Sequence, residues 1–311
     1  MCYSAQVYAE LKKFTRATGM KLTAKEYIKL YWDQTKSPYA KRPKVPRAME
    51  IEILNDGPND LAEIIRGYDA REMAELEQEL FKQKKRVADG QRALQAKTTK
   101  KAQDDVRIGT DKMGKIQARI DTLKRREPKP SDSRMFPQYF VPVLIMENGQ
   151  PVVKPMRYQG RPAGKPAFYD TKYPGTYNAR RDNLEGFWKG EFGHHHGLII
   201  ADVFYENVEV DGKNQVLAFT PRDGSPMFIA CLWSHWTDPA GKEPDLLSFA
   251  AITDDPEPEV AAAGHDRTII NIKPEHIGAW LTPEGRPLSE LYAIFDDKQH
   301  PYYEHQVAKA A

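Results

Sequence analysis

The sequence predicts an α+β protein: a mainly antiparallel β core with flanking helices, into which a charged α-helical hairpin is inserted. Three observations carry this. Up to about residue 127 the apolar side chains recur at helical spacing. After Arg134 the period changes to two, in short runs separated by Asn-Gly and Asp-Gly turns. No glycine-rich phosphate loop follows any of these runs, which disfavours a nucleotide-binding α/β fold, and no internal repeat is visible.

Taken in order, Met1–Lys13 reads as a polar amphipathic helix, and Val7, Leu11 and Phe14 extend it from Ser4 to Thr18, with a stop near Gly19. Thr23–Glu26 forms a capping box for a second helix through Tyr27, Leu30, Tyr31 and Trp32. Ser37–Arg47, with three prolines, is a connector. A long helical region begins near Asn59. Met73, Leu76, Leu80, Val87 and Leu94 form one seam, and Val106, Met113, Ile116, Ile120 and Leu123 a second. A turn at Thr98–Lys101 makes these an antiparallel pair, marginal because Gln83, Gly90, Lys97 and Gly109 interrupt the seams. Glu127–Asp132, with two prolines, ends the pair.

The β region opens with Tyr139–Met146 and Val152–Met156 around Glu147-Asn-Gly-Gln150, a hairpin with a primed turn. Further strands are expected at Leu198–Val208, Val216–Thr220, Met227–Trp233, Leu247–Thr253 and Thr268–Ile272, and a short helix at Pro274–Leu281. The expected division is a domain of residues 1–66 and 128–311 with an insert at 67–127.

Composition limits the rest. At 311 residues, 40% hydrophobic and 29% charged, the chain can bury a core, which excludes wholesale disorder. No apolar run approaches the roughly 20 residues of a membrane span, so no membrane partner is expected. The first residues lack the apolar stretch of a signal peptide, and two cysteines do not make a disulfide scaffold, so a reducing cytoplasm is expected. The balance of 46 Lys+Arg against 44 Asp+Glu hides an asymmetry. Lys82–Arg126 holds fifteen of the basic residues and five of the acidic ones. That segment is a block of about +10 within a remainder of about −8.

Four places carry residues suited to chemistry. Removal of Met1 leaves Cys2 with an α-amine beside its thiol, with reference pKa values of about 8 and 8.5. Such an aminothiol condenses with an aldehyde to an imine, which the sulfur closes to a thiazolidine; the alternative is a frayed, inert terminus. In Tyr177–Arg180, Asn178 can orient an amine and Arg180 can hold a phosphate, or the stretch is an ordinary polar loop. Glu206 closes Ala201–Glu206, an apolar strand. It is either a buried acid of raised pKa or a glutamate on the solvent face. In Gly264–Arg267, His265 can shuttle protons and Arg267 can bind phosphate. His194–His196 lacks matching carboxylate or cysteine spacing, so no metal site is assigned, and no cofactor is implied. Cys231 and most of the tryptophans read as core.

The order of these pieces resembles the SOS-response-associated peptidase (SRAP) family. The matching blocks are Met1-Cys2, Asn178–Arg180, Ala201–Glu206, Pro226–Leu232, Phe249–Thr253 and His265–Arg267. The resemblance implies a barrel-like β core and an enzyme that bonds covalently, through the exposed Cys2, to abasic sites in single-stranded DNA. It implies Cys2 as nucleophile, Asn178 positioning its amine, Glu206 as acid/base in imine formation and in removal of Met1, and His265 assisting proton transfer. Arg180 and Arg267 would hold phosphates, with Arg181 or Lys189 as a further basic contact. It also implies association with the nucleoid when DNA is bound. The chain departs from the family pattern in having Tyr3-Ser4 in place of Gly-Arg, Asn207 in place of Trp, and no clean Asn-Val-Ala-Pro block near Tyr139–Pro142. Two other readings stand beside this one: a cysteine peptidase acting in trans, and a non-catalytic scaffold. The basic hairpin can be a plain exposed helix pair, a phosphate-binding surface or a self-association element.

Overall fold

The computed structural model describes residues 4–7, 30–31, 42–241 and 243–308. The elements, in order, are β1 (Ser4–Val7), α1 (Arg47–Asp56), α2 (Asn59–Ala96), α3 (Lys100–Lys124), β2 (Arg134–Met135), β3 (Phe140–Glu147), β4 (Gln150–Tyr158) and α4 (Tyr169–Lys172). They continue with β5 (Asn178–Arg180), β6 (His196–Val210), β7 (Lys213–Pro221), β8 (Met227–Trp236), β9 (Leu246–Asp254), α5 (Pro258–Ala262), β10 (Thr268–Ile269), α6 (Ile277–Leu281), α7 (Leu288–Asp296) and β11 (Tyr303–Val307). Two compact units result: Met1–Met49 with Lys129–Ala311, and Glu50–Pro128.

The larger unit is built on one mixed sheet of eleven strands, antiparallel except where β4 and β5 run parallel to β9. The turns that aim its strands are local. Asn148-Gly149 and Asp211-Gly212 adopt positive φ at both positions (51° and 72°, 51° and 69°), the primed geometry that matches strand twist. Strand β6 is the hub. Its first half pairs with β3 and β8, its second half with β1 and β7. Because β3 also pairs with β4, β4 with β9 and β9 with β8, hydrogen bonds run around a ring of five strands. The ring is barrel-like and narrowly closed, as β3–β6 and β4–β9 each share only two residue pairs. Phe204, Phe219, Phe249, Tyr158, Trp236 and Trp280 are fully buried around it.

The N-terminal helix expected from Ser4 is not what the chain forms there. Ser4–Val7 is a strand, pairing with β6 and β2. Ala5 and Val7 are buried on either side of a half-exposed Gln6, so a period of two fits these four residues as well as a helical one. The rest of that expected helix and the Thr23–Glu26 capping box lie outside the described residues; Leu30 and Tyr31 are helical. Residues 42–46 are irregular, as the prolines require, but Arg47 already opens α1, a helix that the proline-rich pattern hides. Strands β5 and β11 and helix α7 are likewise additions to the expected elements: β5 has three residues, β11 is mostly exposed and polar, and α7 is nine residues long.

In the smaller unit, α2 and α3 form the antiparallel pair, with the turn one residue earlier than expected. Thr99 caps α3, its Oγ1 accepting from Ala102 N at 3.2 Å. Arg119 holds Glu72 through two hydrogen bonds, and Arg86 holds Asp105. Three of the four positions that interrupt the seams in the sequence are buried contacts, and the fourth, Lys97, is exposed in the turn. Gln83, Gly90 and Gly109 are buried, whereas Leu80, Val87, Leu94, Val106 and Met113 are half-buried beside them. A Cβ on Gly90 would sit 3.0 Å from Val106 Cγ2, and one on Gly109 would sit 2.6 Å from Val87 Cγ2. The glycines let the backbones approach, and the valines fill the space they leave. Among the described residues no helix is long and apolar enough to cross a membrane.

This packing fixes the sign of a paired experiment. Gly114, also in α3, has open space where a Cβ would project, with nothing within 4 Å. Gly114→Ala should therefore stabilise the hairpin by about 1 kcal/mol through helix propensity. Gly109→Ala should destabilise it by about 1–2 kcal/mol, because overpacking costs more than propensity returns. Amide hydrogen exchange across residues 80–116 reads both; the same direction for the two variants would refute the close-approach account.

Candidate active site

The sheet brings sequence-distant residues to one end of the larger unit. Strand β5 lies parallel to the end of β9, with Asn178 opposite Ala251 and Arg180 opposite Thr253. On the other side of β9, Thr268 of β10 pairs with Asp254, so Arg267 enters beside the same strand end. Arg180 and Arg267 consequently line one cleft of about 460 Å³, together with Arg181, Asp182, Glu185, Thr253, Asp254, Asp255 and Tyr292.

Strand β6 carries Glu206 fully buried, opposite Leu217 of β7. It is the buried acid, not the solvent-face glutamate. His265, 8% exposed, follows Gly264, whose φ of 93° turns the chain there. Its Nε2 lies 3.1 Å from Glu206 Oε2, although the two residues are 59 positions apart. Burial pushes the Glu206 carboxyl up to about 8 and lowers the His265 imidazole. Both are therefore neutral at pH 7. The His265 Nδ1 is 2.9 Å from the Arg267 carbonyl and 3.3 Å from the Arg267 N–H, and the shorter contact, to an acceptor, favours the tautomer with the proton on Nδ1. Nε2 is then a lone pair facing a protonated carboxyl, and a proton can pass between Glu206 and His265 without creating an isolated buried charge.

Asn178 is buried, and the Tyr158 hydroxyl donates to its Oδ1 at 3.4 Å. Tyr158 is in turn stacked on Phe249. Arg180 is 45% exposed at its side chain and is held by Asp182 at 2.6 Å, which raises its pKa. Arg181 sits in the cleft wall but bridges Asp254 and Asp296, and lies over the Tyr292 and Phe295 rings. It pins α7 to the end of β9. The exposed Lys189 is not among the cleft residues.

Cys2 lies outside the described residues. Ser4 is paired with Tyr205, the neighbour of Glu206 in β6, and accepts a hydrogen bond from Arg134 Nε at 2.9 Å. Arg134 also covers the Tyr205 ring at 3.7 Å.

The histidine triplet divides. His196 is buried, receives the Gly193 N–H at Nε2 and contacts the Trp280 carbonyl through Nδ1. Both ring nitrogens are thus engaged, and burial lowers its pKa to about 3. His194 and His195 are exposed. Among the described residues no group of three or more His, Cys, Asp or Glu is arranged to hold a metal ion. Cys231 is buried in β8, with its thiol pKa raised by that burial. Sequence reasoning does not reach Tyr158, Asp182, Asp254 and Tyr292, which join the site through strand pairing, the local Arg180–Asp182 pair and the docking of α7.

Three solved structures are similar over part of the chain. A protein from Bordetella bronchiseptica is 20% identical, with a TM-score of 0.48, covering 57% of this chain and 88% of its own. One from Bacteroides thetaiotaomicron is 15% identical, with a TM-score of 0.47, covering 57% and 77%. A phage-related protein from Bordetella bronchiseptica is 18% identical, with a TM-score of 0.44, covering 60% and 86%. No curated protein matches the chain. The family model described as SOS response associated peptidase (SRAP) matches residues 91–310, more than two thirds of the sequence and every described strand from β2 to β11, so the chain belongs to the SRAP family.

Proposed function

We propose that this protein binds single-stranded DNA and forms a thiazolidine crosslink between Cys2, freed of Met1, and the aldehyde of an abasic site, shielding the damaged strand. The observation that carries the proposal is the buried Glu206–His265 pair at 3.1 Å, one residue along β6 from the position that pairs with Ser4. Family membership supports a DNA-damage setting.

The chemistry follows from the protonation states. The Cys2 α-amine attacks the aldehyde carbon, giving a carbinolamine. That intermediate must lose hydroxide as water, which requires a proton donor, and the neutral Glu206 is one. His265 Nε2 is placed to relay the proton. The thiol then adds to the imine carbon: sulfur bonds to carbon, the thiol proton ends on nitrogen, and the net product is a thiazolidine plus one water. Asn178, fixed by Tyr158, orients the amine, while Arg180 and Arg267 hold phosphates on either side of the lesion. Arg180 gives up only a surface pair with Asp182 to do so, a small cost. With no aldehyde left, β-elimination at the abasic sugar is blocked. The same residues suit hydrolytic removal of Met1 in cis, which intact-mass measurement of wild type and Glu206→Gln tests in a host lacking efficient methionine aminopeptidase; equal processing would remove support for self-cleavage.

On a denaturing gel, wild type should shift an abasic oligonucleotide and Cys2→Ala should not; a shift that survives Cys2→Ala refutes the proposal. Glu206→Gln should slow crosslinking by about 100-fold or more. The wild-type rate should fall on the alkaline side as Glu206 ionises near pH 8, and that limb should vanish in Glu206→Gln.

Stability carries the same signature. Glu206 has a raised folded pKa, so between about 4.5 and 8 the folded state holds a proton that the unfolded state has released. Its contribution is full below pH 4.5 and is lost as pH rises to 8. Glu206→Gln should flatten that decline in denaturant titrations. Glu191, raised by burial to about 7, adds a second decline of the same sign that the variant retains.

A further inference from the structure

Helix α2 presents to solvent a side chain that no fold requires there. Phe81 is 71% exposed on the hairpin. At helical spacing i, i+3, i+4 and i+11 it shares its face with Lys84, Lys85 and Arg92, all exposed. Lys85 and Arg92 both pair with the one carboxylate of Asp89, at 3.1 and 2.8 Å, with side chains 71% and 72% exposed. Among the described residues no carboxylate pairs with Lys84. Three cations thus share one acid on a helix face spanning about 16 Å. The turn beyond adds exposed Lys97, Lys100 and Lys101. The last two open α3, where the helix dipole disfavours positive charge. The segment gives up local stability to keep its charge.

We infer that this face is a second nucleic-acid contact, separate from the crosslinking chemistry, in which Phe81 stacks on an unpaired base and Lys84, Lys85 and Arg92 hold the adjoining phosphates. The occupant is single-stranded nucleic acid because both halves of the surface fit it: every base offers a π-face to an exposed ring, and every linkage offers an anion to the lysines. A second copy of this same face would instead set Lys84, Lys85 and Arg92 against like charge, within a segment, Lys82–Arg126, of about +10. The surface ion pairs with Asp89 are weak enough to yield to phosphate. The inference takes DNA as the expected strand from the proposed function, and otherwise stands apart from it.

The test uses the full chain and an undamaged 20-nucleotide single strand, so no step depends on Cys2. Fluorescence anisotropy from 50 to 200 mM salt should show Phe81→Ala binding about tenfold more weakly with an unchanged salt slope. A Lys84→Gln, Lys85→Gln, Arg92→Gln variant should lose about 2 from the slope of log K against log salt. The charge-keeping variant Lys84→Arg, Lys85→Arg, Arg92→Lys should restore it. Far-UV circular dichroism should match wild type throughout, as all four side chains face water. Single-stranded RNA in place of DNA decides which sugar is preferred, and retention of either supports the surface. Unchanged affinity and slope in the variants would overturn the inference. So would an equal loss from Phe81→Ala on duplex DNA, which has no base to stack. So would a change in sedimentation from dimer to monomer in Phe81→Ala with DNA binding intact, which would make this a self-association face. Failure of abasic crosslinking with these affinities preserved would refute the proposed function alone.

Discussion

The site depends on a carboxyl group buried in a strand. Glu206 lies in the second half of β6, flanked by β1 and β7, with no solvent exposure. An ionised carboxylate there would be costly, and burial resolves the cost by holding the proton on. The consequences propagate through the sheet. β6 must be long enough to reach this point after pairing with β3 and β8, and its start is fixed by His196, locked between Gly193 and Trp280. His265 must arrive from the far side of β9 with Nε2 facing the acid, and its Nδ1 is held there against the Arg267 backbone. β1 must run antiparallel beside Tyr205, which brings Ser4 next to the same stretch of β6.

Charge is handled in the opposite way at the cleft. Arg180 and Arg267 stay partly hydrated, and the acids around them keep the wall near balance. Asp254 shows how the balance is held. Burial alone would raise its pKa, but hydrogen bonding from Arg181 and the charge of Lys298 bring it below the usual range. That carboxylate ties β9 to α7 through Arg181 and so shapes the cleft that it lines.

What is legible in the sequence is local or cumulative. Asn148-Gly149 and Asp211-Gly212 announce their turns because positive φ is a property of two residues. The long α2–α3 periodicity sums over many turns of helix. β1 reads wrongly as helix because four residues fit two periods, and only the pairing with β6 chooses between them. The glycines of the hairpin mislead for a related reason: a missing side chain looks like a missing contact, yet Gly90 and Gly109 are where the helices touch most closely. For Glu206 both readings are physically sound from sequence, since a strand exposes one face and buries the other. Its burial is decided by which strands flank it, and these lie up to about 200 residues away in the chain. The cleft acids and Tyr292 carry no local pattern at all.

Two kinds of electrostatics therefore coexist in one chain. Around Glu206 and His265 the groups are neutral and dry, so dissolved salt has little to screen and pH is the variable that matters. On the hairpin and at the cleft mouth the groups are charged and wet, so pH near neutrality changes little and ionic strength governs. For the proposed crosslinking this separation is an advantage. A covalent bond would supply the long residence on damaged DNA and leave the hold on the strand loose, rapid and reversible. The grip would then need no specificity for an abasic site, because the aldehyde alone would select the strand that is retained and salt would release every other.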